Sequence, residues 1–317
     1  MQFGLSAPFR GPLATPEDIL AIAQAADRLG FHYLTVSDHI VCPREIDAKY
    51  PYSDTGEFPW TVEGGGDCME QFTLMAWLCA ATTNIRILSS VAVLPHRNPL
   101  FMAKSIATMD VLSGGRISIG CGTGWMREEF EALGVEFTKR GQVTNEYIEA
   151  MKACWTQENP SYDGDFVNFS NLIFAPKPVQ DPHPPLWIGG ESGPAMRRVA
   201  AHGDVWYPFA SNPKFRLATP DAYRERAARV KQAIAEAGRD PSAVGLAYNS
   251  PLHLESERQM DDGNRMPMTG SAGNRIGDIQ AFAEAGAQFM VVNLTSNDRQ
   301  EMLDRMEAFA SDVMAKA

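Results

Sequence analysis

The chain has 317 residues, 44% hydrophobic and 21% charged, an ordinary globular composition with enough apolar material for a sizeable core. A formal net charge of -11 argues against nucleic acid or an anionic membrane surface as the main partner, because both are polyanions. The longest apolar run, around Leu74 to Ala81, is far short of the roughly 18 residues of a membrane span, and the five cysteines form no CxxC pair, so a reduced, cytoplasmic protein is expected.

Gln2 to Ser6 reads as a short strand. Thr15-Pro16-Glu17-Asp18 then opens a helix, with threonine as N-cap and proline at the first helical position, and Gly30 closes it. A second strand follows at once in FHYLTVS, Phe31 to Ser37. The same punctuation, a glycine-closed helix and then a strand, recurs in RVAAHGDVWYPF and AEAGAQFMVVNL. Eight strands are predicted, starting near Gln2, Phe31, Ile85, Ile117, Leu186, Asp204, Val244 and Gln288, with helical patterns between them. Several are nearly continuous apolar runs, as parallel strands covered on both faces should be.

Eight βα units in a chain of this length predict a (β/α)8 TIM barrel with inserted loops at its carboxyl-terminal mouth, a doubly wound sheet being the competing architecture. No linker divides the chain, so residues 1–317 are read as one domain. Three segments look inserted: Val41 to Gly66, Gln157 to Pro185 and His253 to Gly273. The first and third follow strands directly, and are expected to wall the pocket at the mouth.

The strand ends offer few ionisable groups. Sugar hydrolases need two positioned carboxylates and Schiff-base aldolases a strand lysine, and neither is in evidence. The six histidines are scattered, and no metal site is expected. What remains is a mouth of backbone, small hydroxyls and one Asp38-His39 pair, suited to a cofactor that carries the reactivity. ISIGCGTGW, Ile117 to Trp125, lacks the GxGxxG spacing and is the fourth strand rather than the first, which speaks against a dinucleotide-binding turn. Its Gly120, Gly122 and Gly124 instead suit close approach of a flat ring to the backbone. Gly189-Gly190-Glu191-Ser192, before a helix opened near Pro194, offers amides to a phosphate, with Arg197 or Arg198 adding charge. In His96-Arg97-Asn98-Pro99, Asn98 as N-cap and Pro99 in the first turn favour a structural role.

Four stretches together resemble the bacterial luciferase-like family: SDHIVCP at Ser37 to Pro43, Arg86 to Trp125, EFEALGVEFTKRG at Glu129 to Gly141, and Pro176 to Pro208. Members are TIM barrels that use reduced FMN or the deazaflavin coenzyme F420. The resemblance implies a non-prolyl cis peptide at Ser90-Val91 under the ring, Asp38 and His39 at the ring edge, the Gly122-Thr123-Gly124 turn beside it, and Gly189, Gly190 and Ser192 on the phosphate. It also implies a small-molecule substrate, a homodimer, and a flavin or F420 reductase as partner. Members acting on sugar phosphates carry a glutamate after GTG where this chain has Trp125, so an apolar or aromatic substrate is expected among Trp125, Trp60 and Phe9. His39 and Asp38 are the expected proton relay. The resulting expectation is an F420-dependent oxidoreductase, with an FMN-dependent monooxygenase and a non-catalytic cofactor-binding barrel as the alternatives.

Overall fold

The computed structural model describes residues 1–58, 68–251 and 253–317. Among them, eight parallel strands close into a barrel: β1 (Gln2–Ser6), β2 (Tyr33–Val36), β3 (Arg86–Val93), β4 (Ile117–Gly122), β7 (Leu186–Gly189), β8 (Val205–Tyr207), β9 (Gly245–Asn249) and β10 (Phe289–Val292). β1 pairs with both β2 and β10, which closes the ring. Each strand lies within two residues of its predicted start. β5 (Tyr162–Asp163) and β6 (Asn168–Phe169) form a separate antiparallel hairpin inside the Gln157 to Pro185 insertion, which the sequence reading did not anticipate.

The helices are α1 (Pro16–Arg28), α2 (Gln71–Ala81), α3 (Pro99–Ser113), α4 (Arg127–Ala132), α5 (Arg140–Thr156), α6 (Gly193–His202), α7 (Pro220–Glu236), α8 (Ala272–Glu284) and α9 (Arg299–Phe309). Their ends follow local chemistry. Thr15 accepts the Asp18 amide at 3.1 Å, and Asn98 accepts those of Leu100 and Phe101 at 2.9 and 3.2 Å, so both helices start at the side chain that satisfies their unpaired amides. Gly114 stops α3 in the left-handed conformation that glycine adopts without steric penalty. None of the described helices is long and apolar enough to cross a membrane.

The barrel interior is filled by Tyr33, Leu88, Trp187, Val205, Tyr207, Ala247 and Val291, with Trp187 edge-on to Tyr33 at 5.0 Å. This packed floor pushes any ligand to the carboxyl-terminal rim. β3 changes register against β4 between Ser89 and Ala92, and the Ser90-Val91 peptide there is cis, as the resemblance implied.

The inserted segments differ from expectation in one respect. Residues 41–58 do roof the mouth, but among the described residues of His253 to Gly273 none lines it. Arg265 pairs with Asp278 of α8, and His253 packs edge-on against Phe309 at 4.9 Å while facing Arg275. Burial, then the Arg275 and Arg305 cations, push the His253 imidazole down to about 3, so it stays neutral. Packing against α8 and α9 draws this loop to the barrel flank.

Candidate active site

Seven strands and the turn after β2 contribute to one cavity of about 1370 Å³ at the carboxyl-terminal rim. His39, three residues past β2, lies in it, 8% exposed. Its Nδ1 is 2.7 Å from Oε2 of Glu129 on α4, a carboxylate buried to 1% exposure. The other oxygen, Oε1, accepts the amides of Ile40 at 2.7 Å and Val41 at 3.3 Å. Burial would raise the Glu129 carboxyl, but the His39 hydrogen bond and charge, His96 and the Ile40 amide together hold it below the usual range. The group is therefore an anion at neutral pH.

Asp38 is not the partner of His39. Its oxygens receive Nη1 and Nη2 of Arg97 at 2.7 and 2.8 Å, and Oδ2 also takes the Val93 amide at 2.8 Å. The expected pairing of Asp38 with His39 is not formed: His39 is hydrogen-bonded to Glu129, and Asp38 is the bracket that ties the end of β3 to the turn after β2. A carboxylate held by a bidentate guanidinium and an amide has spent its strongest acceptor directions. His96 also faces the cavity, edge-on to Phe130 at 4.7 Å, with Nδ1 3.9 Å from Glu129. Burial lowers its pKa despite the attraction of Glu129 and Asp38.

The glycines at the floor also make room inside the protein. A Cβ at Gly122 would come within 2.4 Å of Val91 Cγ2, and one at Gly189 within 3.1 Å of Val91 Cγ1. One at Gly120 would meet the Ser89 carbonyl at 2.1 Å. They clear space for the β3 bulge, and it is Val91 that faces the cavity as a shelf. Ser90 Oγ bonds the Tyr207 hydroxyl at 2.9 Å, and Asn249 donates to that hydroxyl at 3.1 Å. Thr123 and Gly124 line the wall beside the shelf, and Gly124 has φ +77°.

At the turn into α6, Gly190 has φ +111°, and a Cβ there would sit 3.0 Å from Ala195 Cβ. Part of its expected amide supply is committed inside the protein. The Gly190 amide donates to the Tyr207 carbonyl at 3.3 Å, and the Ala195 amide to Ser192 Oγ at 3.4 Å. Positive charge comes from two arginines. Arg198 donates to Asn145 and the Gly141 carbonyl, and Arg140 to the Gly124 and Phe137 carbonyls. Among the described residues neither forms a salt bridge, and burial lowers both pKa values. Two guanidiniums held by neutral acceptors at the mouth of a helix N-terminus form a ready anion site. Arg197 does not line the cavity, and Arg140, carried by the TKRG motif, was missed as a site residue.

The roof is aromatic. Tyr50, Phe58 and Trp125 meet pairwise at 5.0 to 5.2 Å, Phe58 lies 5.3 Å from the His39 ring, and Tyr52 bridges from Tyr50 to Phe209. Burial, barely offset by Arg10, pushes the Tyr50 phenol up to about 12. Trp125 and Phe9 line the cavity as expected, while Trp60 lies outside the described residues.

Comparison with known proteins agrees with this geometry. A family model described as luciferase-like monooxygenase matches residues 1–315. An uncharacterized protein of Mycobacterium tuberculosis is 35% identical over 274 residues, covering 83% of this chain and 90% of the relative. An FMNH2-dependent dimethylsulfone monooxygenase of Pseudomonas putida is 33% identical over 189 residues, 59% of this chain and 46% of that protein. Among solved structures, a coenzyme F420-dependent tetrahydromethanopterin reductase from Methanopyrus kandleri shares the fold at a TM-score of 0.76 and 15% identity, over 99% of this chain and 98% of the other. With its barrel, its cis Ser90-Val91 shelf and a match along nearly its whole length, the chain belongs to the luciferase-like monooxygenase family.

Proposed function

We propose that this member is an F420-dependent oxidoreductase that moves hydride to or from an apolar or aromatic substrate at a carbon-oxygen bond. The observation that carries the reading is the buried His39-Glu129 pair set under an aromatic roof, in the same cavity as an anion site. The residues fit a phosphorylated, ring-bearing cofactor. Val91 offers an apolar shelf, Thr123 and Gly124 an edge, and Gly190, Ser192, Arg140 and Arg198 an anion cradle. When bound, the deazaflavin supplies a two-electron hydride couple. Hydride exchange at a carbon-oxygen bond requires a proton to move at the oxygen, and His39 is placed to exchange it through Nε2 while Nδ1 stays on Glu129. The Tyr50, Phe58 and Trp125 rings exclude water and favour a flat apolar group beside it.

The second reading is an FMN-dependent monooxygenase, favoured by the name of the Pseudomonas putida relative and by the same water-excluding roof. Titration of the purified protein with F420 and with FMN separates the two. The expected result is F420 binding in the micromolar range or tighter and FMN binding at least about tenfold weaker. Tighter FMN binding with oxygen consumption overturns the reading, and tight binding without turnover on any substrate turns it into a binding barrel.

The cradle has its own test. Gly190→Val forces an L side chain into positive φ against Ala195, and is expected to weaken cofactor affinity by about tenfold or more with the fold intact by circular dichroism. Unchanged affinity would place the phosphate elsewhere.

A further inference from the structure

Glu129 lies 90 positions from His39 in the chain, yet its side chain is 1% exposed and both its oxygens converge on the turn that carries His39. Oε1 faces the amides of Ile40 and Val41, which can only donate. Those two amides fix the carboxylate's orientation, and so present Oε2 to His39 Nδ1 at 2.7 Å. An ionised carboxylate can only accept, so Nδ1 must carry a proton. The neutral imidazole is then left with its lone pair on Nε2.

The neighbours reinforce this choice. His96 is the other imidazole near the carboxylate, 3.9 Å from Oε1, too far for a hydrogen bond, and neither of its nitrogens has a hydrogen-bond partner among the described residues. Arg97 is occupied by Asp38 and Glu70, and Cys42, the remaining titratable group in the field of Glu129, is held in its thiol form by burial and by that carboxylate. Among the described residues, His39 is the side chain that hydrogen-bonds Glu129. Aromatic rings at 5.3 Å (Phe58) and 6.5 Å (Trp125) limit rotation of the imidazole out of this bond.

We propose that Glu129 is the positioning residue of this site: its carboxylate, oriented by the Ile40 and Val41 amides, locks His39 in the Nδ1–H tautomer and so makes Nε2 the proton-exchanging atom. This rests on the proposed role of His39 in proton exchange, but its test needs no cofactor or substrate. When His39 accepts a substrate hydroxyl proton at Nε2, the resulting imidazolium is paired with Glu129. When it returns that proton, Nδ1 keeps its own, so one proton moves and the pair is restored.

The test is nitrogen NMR of the full-length protein labelled with 15N-histidine, followed up to alkaline pH, the His39 signals being assigned by their loss in His39→Gln. The wild type is expected to show Nδ1 protonated. In Glu129→Gln the Ile40 and Val41 amides keep the amide oxygen, so the NH2 group faces Nδ1 as a donor, and the proton is expected to shift predominantly to Nε2. Glu129→Asp retains the anion and is expected to retain the Nδ1–H form, and it keeps the test decisive should Glu129→Gln fold poorly. A wild-type Nε2–H form overturns the proposal. So does a Glu129→Gln protein that melts lower but keeps the wild-type tautomer, because that is the signature of a merely structural carboxylate. Failure of F420 to bind leaves this result standing, and failure here leaves the cofactor titrations untouched.

Discussion

His39→Ala is expected to lower turnover by about 10² to 10⁴-fold, the range a positioned general acid-base supplies, while shifting cofactor affinity by no more than about threefold. The asymmetry follows from geometry. The ring reaches the roofed half of the cavity, toward Phe58 and Trp125, whereas the anion cradle at Ser192, Arg140 and Arg198 is built from other elements. The measurement is single-turnover oxidation of a series of aromatic and aliphatic alcohols, read from the absorbance of the bound cofactor, alongside a binding titration. Equal losses in rate and affinity would mean that the imidazole holds the ligand rather than exchanging its proton.

The largest expected effect on stability comes from Arg97→Met. It leaves Asp38, whose side chain is fully buried, without its bidentate guanidinium, and stranding one member of a buried ion pair typically costs about 3 to 5 kcal/mol. The Val93 amide remains as a partner, but an amide cannot balance a full charge. Adding Asp38→Asn removes the stranded charge and is expected to recover about half of the loss or more. Urea unfolding of the two single variants and the double variant reads this directly. An Arg97→Met loss below about 1 kcal/mol would show that water or a neighbour compensates the carboxylate, and that the bracket is dispensable.

The barrel was legible because its signals are local. Thr15, Asn98 and Gly114 mark helix ends within one turn, and apolar runs such as that of β3 need no knowledge of their neighbours. The site was legible only in part, because its pairings are long-range. Asp38 and His39 are adjacent in sequence, and that adjacency suggested a pair; the turn after β2 sends the two side chains in different directions, one to Arg97 and one to Glu129. Nothing local distinguishes Glu129 from Glu128 beside it, whose Oε1 caps the exposed amides of Asp47 and Ala48. Only the seating of α4 on the β2 turn decides which carboxylate is buried.

The roof shows the same limit. Tyr50, Tyr52 and Phe58 sit among Pro, Asp, Gly and Ser in a segment without periodicity, so no pattern announces that they face one another. A cue was present in composition, since three aromatic residues within nine positions of a polar insertion at a barrel mouth are worth reading as a lid. Arg140 and Arg198 were separable from ordinary surface arginines only once it could be seen that, among the described residues, neither has a carboxylate partner.

The Val91 shelf also constrains how this floor can change over evolutionary time. Gly122 is closed to larger residues by one methyl of Val91, Cγ2, and Gly189, on another strand, is crowded by the other, Cγ1. A side chain at either must displace Val91, whereas a prior exchange of Val91 for alanine removes both methyl contacts at once. Gly120 gains nothing from that exchange, because it faces the Ser89 carbonyl. Larger residues at 122 and 189 are therefore expected to be tolerated better after exchange of Val91 than before it.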